Sequence, residues 1–173
     1  MLLISIFLWL GCRKNTTTCY EPKNVNATIN FSTKLERQID TLIDSIVYDT
    51  TLVTYRDTSL PLLNALTLNV DSPIFITSSS GVSYIGLMLN PSADFTTYRI
   101  GYDTGITYFD TITIFHKSTP AFINNNCGYT YFFTIDSIQY TSAVIDSFIL
   151  QNKNITRESG VNNRMANFYF FNQ

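Results

Sequence analysis

The sequence predicts an all-β protein: one antiparallel β-sandwich of about seven to nine strands, preceded by a short apolar leader. Three observations carry the prediction. Ser and Thr are abundant and aromatic residues reach 14%, with 13 Phe and 11 Tyr, while only 14% of residues are charged. That balance suits pleated sheets with hydroxyl-rich faces better than helix bundles. From residue 66 onward, short β-rich runs alternate with Asp-Ser-Pro, Ser-Ser-Ser-Gly and Asn-Pro-Ser, which are turn sequences. Finally, Val25, Ala27, Ile29 and Phe31 alternate with polar residues at the period of a half-buried strand.

In chain order, Leu2 to Leu10 is apolar except for Ser5 and ends at Gly11-Cys12 before Arg13. Nine residues are too few to span a bilayer, which takes about 20, but they suit the core of an export signal. Leu8-Trp9-Leu10-Gly11-Cys12 resembles a bacterial lipobox, which implies cleavage before Cys12 and a diacylglycerol thioether on its sulfur. Trp9 departs from the usual Leu, and no Lys or Arg precedes the apolar run. The expected organisation is a lipoprotein signal peptide over 1–11, a tether over 12–23 and a single domain over 24–173, with an insertion at 35–61. Within that insertion Leu35, Ile39, Leu42, Ile43 and Ile46 fit a helical stripe, so a short helix or loop is expected to lead into an extended stretch from 46 to 55. The strands expected after it are 66–70, 74–77, 84–89, 96–102, 107–116, 129–135, 142–150 and 165–171. In 129–135, Tyr129, Tyr131, Phe133 and Ile135 share one face, which places this strand centrally. No fixed-period repeat is present.

The net charge of −2 supplies no basic footprint for nucleic acid. An exported chain folds in an oxidising space, where Cys19 and Cys127 form the one remaining pair. A bridge closing a loop of that length would stabilise the fold by about 4–5 kcal/mol on the chain-entropy model. Two buried thiols or a metal site are the rival readings, and two cysteines with one histidine fall short of a tetrahedral set. His116 is the only histidine, and a lone histidine at a strand end is more often structural than catalytic. Ser83 misses the spacing of a nucleophile elbow by one residue. No phosphate-binding loop, dinucleotide fingerprint or zinc-protease motif occurs, and no cofactor is expected. The three glutamates, Glu21, Glu36 and Glu158, lie far apart, so a glycosidase-type acid pair would have to come from aspartates.

Asp110-Thr111-Ile112, Asn126-Cys127-Gly128-Tyr129, Ile145-Asp146-Ser147 and the aromatic end 168–171, taken in order, resemble an uncharacterised family of Bacteroidota lipoproteins. The resemblance covers roughly 12–173, departs between 35 and 61 and again at 162–167, and brings no activity with it. It implies that Cys19 and Cys127 are the family's two cysteines other than the lipidated one. Nine of the ten aspartates are followed by Ser or Thr, where composition would give about two; Asp94 is the exception. Such steps cap backbone N–H groups at turns and strand entries. Carboxylate and hydroxyl oxygens could also gather calcium, although no calcium loop is present. The resemblance implies a third use, O-glycosylation at Asp-Ser/Thr-aliphatic or Thr triplets, for which Thr41, Ser45 and Thr50 are the best acceptors and Thr111 and Ser137 weaker ones.

Two functions follow. The preferred one is a non-enzymatic binding or structural module of the cell envelope, held at the outer membrane by its lipid and facing the periplasm, because Arg13-Lys14-Asn15 lacks the acidic run of surface-displayed relatives. Its partners are the membrane and a protein or glycan that the sequence does not name. The alternative is an envelope hydrolase of glycan or peptide that uses Asp94, Asp103 or Asp110. Clustered carboxylates would favour the enzyme, and dispersed ones the module.

Overall fold

A computed structural model describes residues 25–43, 46–68, 75–77, 81–103, 107–125, 127–156 and 164–170. The leader, Cys12, Cys19 and Ser45 lie outside the described residues, as does the side chain of Asp103. All regular structure described is strand: β1 (Asn26–Ile43), β2 (Ile46–Asp57), β3 (Leu60–Thr67), β4 (Phe75–Thr77), β5 (Gly81–Val82), β6 (Tyr84–Met88), β7 (Phe95–Asp103), β8 (Thr107–Asn124), β9 (Gly128–Tyr140), β10 (Ile145–Leu150), β11 (Asn154–Ile155) and β12 (Arg164–Phe170). One sheet has the order β10-β12-β1-β2, with β6 also on β1; the other runs β11-β9-β8-β7-β3-β4, with β5 on β3. The all-β two-sheet class is the one expected. The strand number exceeds the seven to nine expected, because the two-residue strands β5 and β11 leave no pattern in sequence and the 35–61 segment is strand.

The sheets enclose one core. Ala27, Ile29 and Phe31 of β1, Ile85 and Leu87 of β6, and Phe168 and Phe170 of β12 meet Tyr98 and Ile100 of β7 and Ile112 and Ile114 of β8. Each set alternates at period 2, so one face of each strand is removed from water. β12 lies between β10 and β1 and pairs in parallel with β1, setting Phe31 beside Phe168; the remaining pairs are antiparallel. Tyr98 joins the layers, since its hydroxyl donates to the Met88 carbonyl across the core. Burial pushes its phenol up to about 12, against the opposing effect of its hydrogen bonds.

Two long hairpins run past this core. β1 pairs with β12 only as far as Thr33, and from Lys34–Tyr55 to Ile43–Ile46 it is joined to β2 alone. Residues 35–43 are therefore the continuation of β1 rather than the expected helix or loop, whereas the extended stretch expected at 46–55 is present as β2. The second hairpin is β8–β9, where Phe122, Tyr129 and Tyr131 are exposed. Gly128 takes a positive φ of 74° at its tip, a conformation that favours glycine, and the Cys127 N–H donates to Asn124 Oδ1 at 2.8 Å. β9 is not central: only β11 lies beyond it. Its aromatic face splits, with Phe133 and Ile135 buried and Tyr129 and Tyr131 outside. At Asp136 the ladder shifts, pairing Phe115 with Ser137 and His116 with Ile135. This bulge turns both Ile135 and Ile138 inward although they are three residues apart.

Candidate functional site

The strands of β8 carry two polar residues on the core face. Asp110, Ile112, Ile114 and His116 share one parity, and all four are buried. A carboxylate and an imidazole in such a position need partners or they destabilise the fold. Their surroundings show what those partners are.

Asp110 is fully buried and accepts four hydrogen bonds. Oδ1 takes the Thr141 hydroxyl and the Ala143 N–H, both at 2.8 Å. Oδ2 takes the Val144 N–H at 3.0 Å and the Ile145 N–H at 3.2 Å. These donors belong to the segment that leaves β9 in one sheet and enters β10 in the other. Thr141 completes the clamp, its hydroxyl accepting the Thr111 N–H at 2.8 Å and its own N–H donating to the Thr111 carbonyl at 3.0 Å. Four residues of this crossover are thus held by one side chain.

His116 serves the preceding crossover, from β6 to β7. Its Nε2 lies 2.8 Å from Thr96 Oγ1, which also accepts the Asn90 N–H at 2.8 Å. The His116 N–H donates to the Asp94 carbonyl at 2.9 Å, and the Ser118 hydroxyl donates to the Pro91 carbonyl at 2.7 Å. Within the loop, Asn90 Oδ1 accepts the Ser92 N–H at 3.0 Å. The ring stands edge-on to Phe133 at 5.2 Å, and Nδ1 is buried without a hydrogen-bond partner among the described residues. Desolvation holds the imidazole below its ordinary pKa, against the fields of Asp94 and Asp136. His116 is therefore a fully buried core residue in mid-strand rather than a residue at a strand end.

Of the three aspartates considered for acid catalysis, the two whose side chains are described, Asp94 and Asp110, do not converge. Asp94 is exposed in the turn before β7. Asp110 faces the core opposite Ile100, and Phe95 pairs with Phe115, so the two carboxylates stand roughly 20 Å apart along the sheet. Among the described residues no group of three or more His, Cys, Asp or Glu could hold a metal ion. No described helix is long and apolar enough to cross a membrane.

The Asp-Ser/Thr steps also take other places than turns. Asp40, Asp49, Asp57, Asp110, Asp136 and Asp146 all lie within strands, and the one described aspartate in a turn, Asp94, is the exception to the pattern. Two steps mark ladder irregularities: Asp136-Ser137 and Asp146-Ser147, the latter with the Ser147 hydroxyl donating to Asp146 Oδ2 at 2.8 Å. Thr41 and Thr50 sit diagonally on the β1–β2 ribbon, their hydroxyl oxygens 3.4 Å apart; Thr50 is exposed and Thr41 half-buried.

The polar clamps could have been found in the sequence, since Asp110 and His116 fall on the apolar parity of Ile112 and Ile114. What they clamp could not, because the partners lie about 20 to 35 residues away. Asp110 and Ile145 also link two sequence motifs in space: the carboxylate of Asp110-Thr111-Ile112 receives the N–H of Ile145 in Ile145-Asp146-Ser147.

Fold and site together define a two-sheet, all-β domain whose buried polar residues secure the passages between sheets. By its match over residues 62–170, the chain belongs to a family of unknown function, DUF6452. The matched stretch begins within β3 and ends with β12, leaving β1 and β2 before it. No curated protein and no solved structure matches the chain.

Proposed function

We propose that this protein is a non-enzymatic cell-envelope lipoprotein, a binding or structural module held at the periplasmic face of the outer membrane by a lipid on Cys12. The observation that carries the non-enzymatic reading is the commitment of Asp110: its four acceptor contacts are taken by the chain's own crossover, so it has no lone pair to offer a substrate while the fold stands. His116 is likewise enclosed. The apolar leader ending in Gly11-Cys12 supports the address. A Cys19–Cys127 disulfide belongs to the same proposal. Cys127 is buried, and Cys19 stands few residues ahead of β1. Thr41, Ser45 and Thr50 are the proposed glycan acceptors, supported by the exposure of the β1–β2 ribbon around them.

Replacement of Cys12 tests the anchor. Cys12→Ala should move the protein from the detergent-extracted membrane fraction to a soluble or uncleaved form, and unchanged membrane fractionation would overturn the lipid reading.

A further inference from the structure

We propose that the outer edge of β2 pairs with the same edge of a second copy of this chain, antiparallel, across a twofold axis at Leu52. β2 is twelve residues long and terminates its sheet. Folded chains blunt such edges with Lys, Pro, bulges or short strands. β2 contains no Lys and no Pro, its ladder with β1 shows no register shift, and no described strand covers its outer side. Ile46, Val47, Tyr48, Leu52, Val53 and Tyr55 are 38–59% exposed. Two strands alone make a marginal element in water, and a third or fourth strand stabilises it.

The register follows from hydrogen-bond parity and charge. The Thr58 N–H donates to the Phe31 carbonyl, so in an antiparallel ladder the even residues of β2 direct their backbone groups to β1. The odd residues, Val47, Asp49, Thr51, Val53 and Tyr55, direct theirs outward. A twofold axis normal to the sheet pairs residues of equal parity. Centred on Leu52, it sets Thr51 against the partner's Val53 and Asp49 against the partner's Tyr55, all outward-bonding positions. It also sets Arg56 against the partner's Tyr48, a cation beside an aromatic ring. Moving the axis to Val53 would oppose Asp49 and the partner's Asp57, a like-charge pair. Moving it to Thr51 would leave Arg56 against the partner's Ile46 and Asp49 against the partner's Val53. Of these centres Leu52 is the one that opposes no like charges and gives Arg56 an aromatic neighbour, with Asp57 then opposite the partner's Val47.

Cross-linking in the full-length protein in its membrane tests this. At the axis, Leu52 and the partner's Leu52 form a non-hydrogen-bonded pair with Cα atoms about 4.5 Å apart, within disulfide reach of about 4.4–6.8 Å. Leu52→Cys should therefore migrate as a covalent dimer on a non-reducing gel. Val47→Cys should not, because the register puts the two copies of that residue roughly 33 Å apart. Thr51→Pro removes an outward N–H while leaving the ladder to β1 intact, and in the Leu52→Cys background it should abolish the cross-link with the far-UV circular dichroism unchanged. Equal cross-linking at 47 and 52, persistence of the Leu52→Cys cross-link with Thr51→Pro, or a monomeric wild-type mass by light scattering together with no cross-link at 52 would each overturn the proposal.

Discussion

Asp110→Ala is expected to cost about 3–5 kcal/mol of folding stability. The substitution leaves four donors without their acceptor. Thr141 and Ala143 are exposed, so water can replace the carboxylate at their donors at small cost. Val144 and Ile145 are buried, and an unsatisfied buried N–H costs about 1–3 kcal/mol, more where the lost acceptor was charged. The cavity adds to this, and partial relaxation of the crossover subtracts from it. Against a total stability of about 5–15 kcal/mol, the loss is large. With a urea slope of about 2 kcal/mol/M, the midpoint should fall by roughly 2 M. Asp110→Asn keeps one acceptor oxygen for two donors and turns an amide N–H₂ toward the others, so its cost should lie between wild type and alanine. Urea denaturation followed by circular dichroism and by tyrosine fluorescence measures all three proteins. A cost for alanine below about 1 kcal/mol would refute the assignment of Asp110 to the crossover.

Three further outcomes are expected. Tyr98→Phe removes the hydroxyl that bridges the sheets to Met88 and should cost about 1–2 kcal/mol in the same denaturation assay; a neutral effect would deny that bond a role in holding the layers. Because His116 binds its proton less readily when folded than its unfolded value of 6.5, the unfolded chain takes up more protons as the pH falls through that value. Stability should therefore be complete above about pH 7 and decline toward pH 5, by at most about 1.4 kcal/mol per pH unit, and His116→Gln should flatten that slope; an unchanged slope in the variant would contradict the buried neutral imidazole. Reduction of the proposed Cys19–Cys127 bond should lower the melting midpoint by roughly 10 °C, on about 4 kcal/mol of loop entropy and about 2–4 °C per kcal/mol; an unchanged calorimetric midpoint after complete reduction would count against the bond.

Strands that bury one face were legible in the sequence. Val25 to Phe31 alternates because water lies on one side and the core on the other, and the structure buries Val25, Ala27, Ile29 and Phe31. In the β1–β2 ribbon the extended stretch at 46–55 was legible, but the β1 half, 35–43, was not, for the converse reason. Both of its faces meet solvent, so no face is required to be apolar, and the spacing of Leu35, Ile39, Leu42 and Ile43 imitates a helix by coincidence. In the strand Leu35 and Ile39 share one face. The reach of β9's core face was hidden in a similar way. Tyr129, Tyr131, Phe133 and Ile135 alternate without a break, yet the first two extend beyond the opposing sheet, and nothing local marks where the core ends. The bulge at Asp136 then reverses parity without a glycine or proline to announce it. The crossover clamps rest on non-local contacts. Asp110 reads as one more Asp-Thr step until Val144 and Ile145 are brought beside it by the fold.

The most direct test of the account is non-reducing peptide mapping of the protein taken from its native membrane, with cleavage after acidic residues so that Cys12 and Cys19 remain on one fragment ending at Glu21. The expected species begins at Cys12, carries the mass of a diacylglycerol modification and is joined through Cys19 to the fragment containing Cys127. A mature N-terminus elsewhere, without lipid and with Cys19 and Cys127 both open to alkylation, would contradict the address, the anchor and the oxidised fold together.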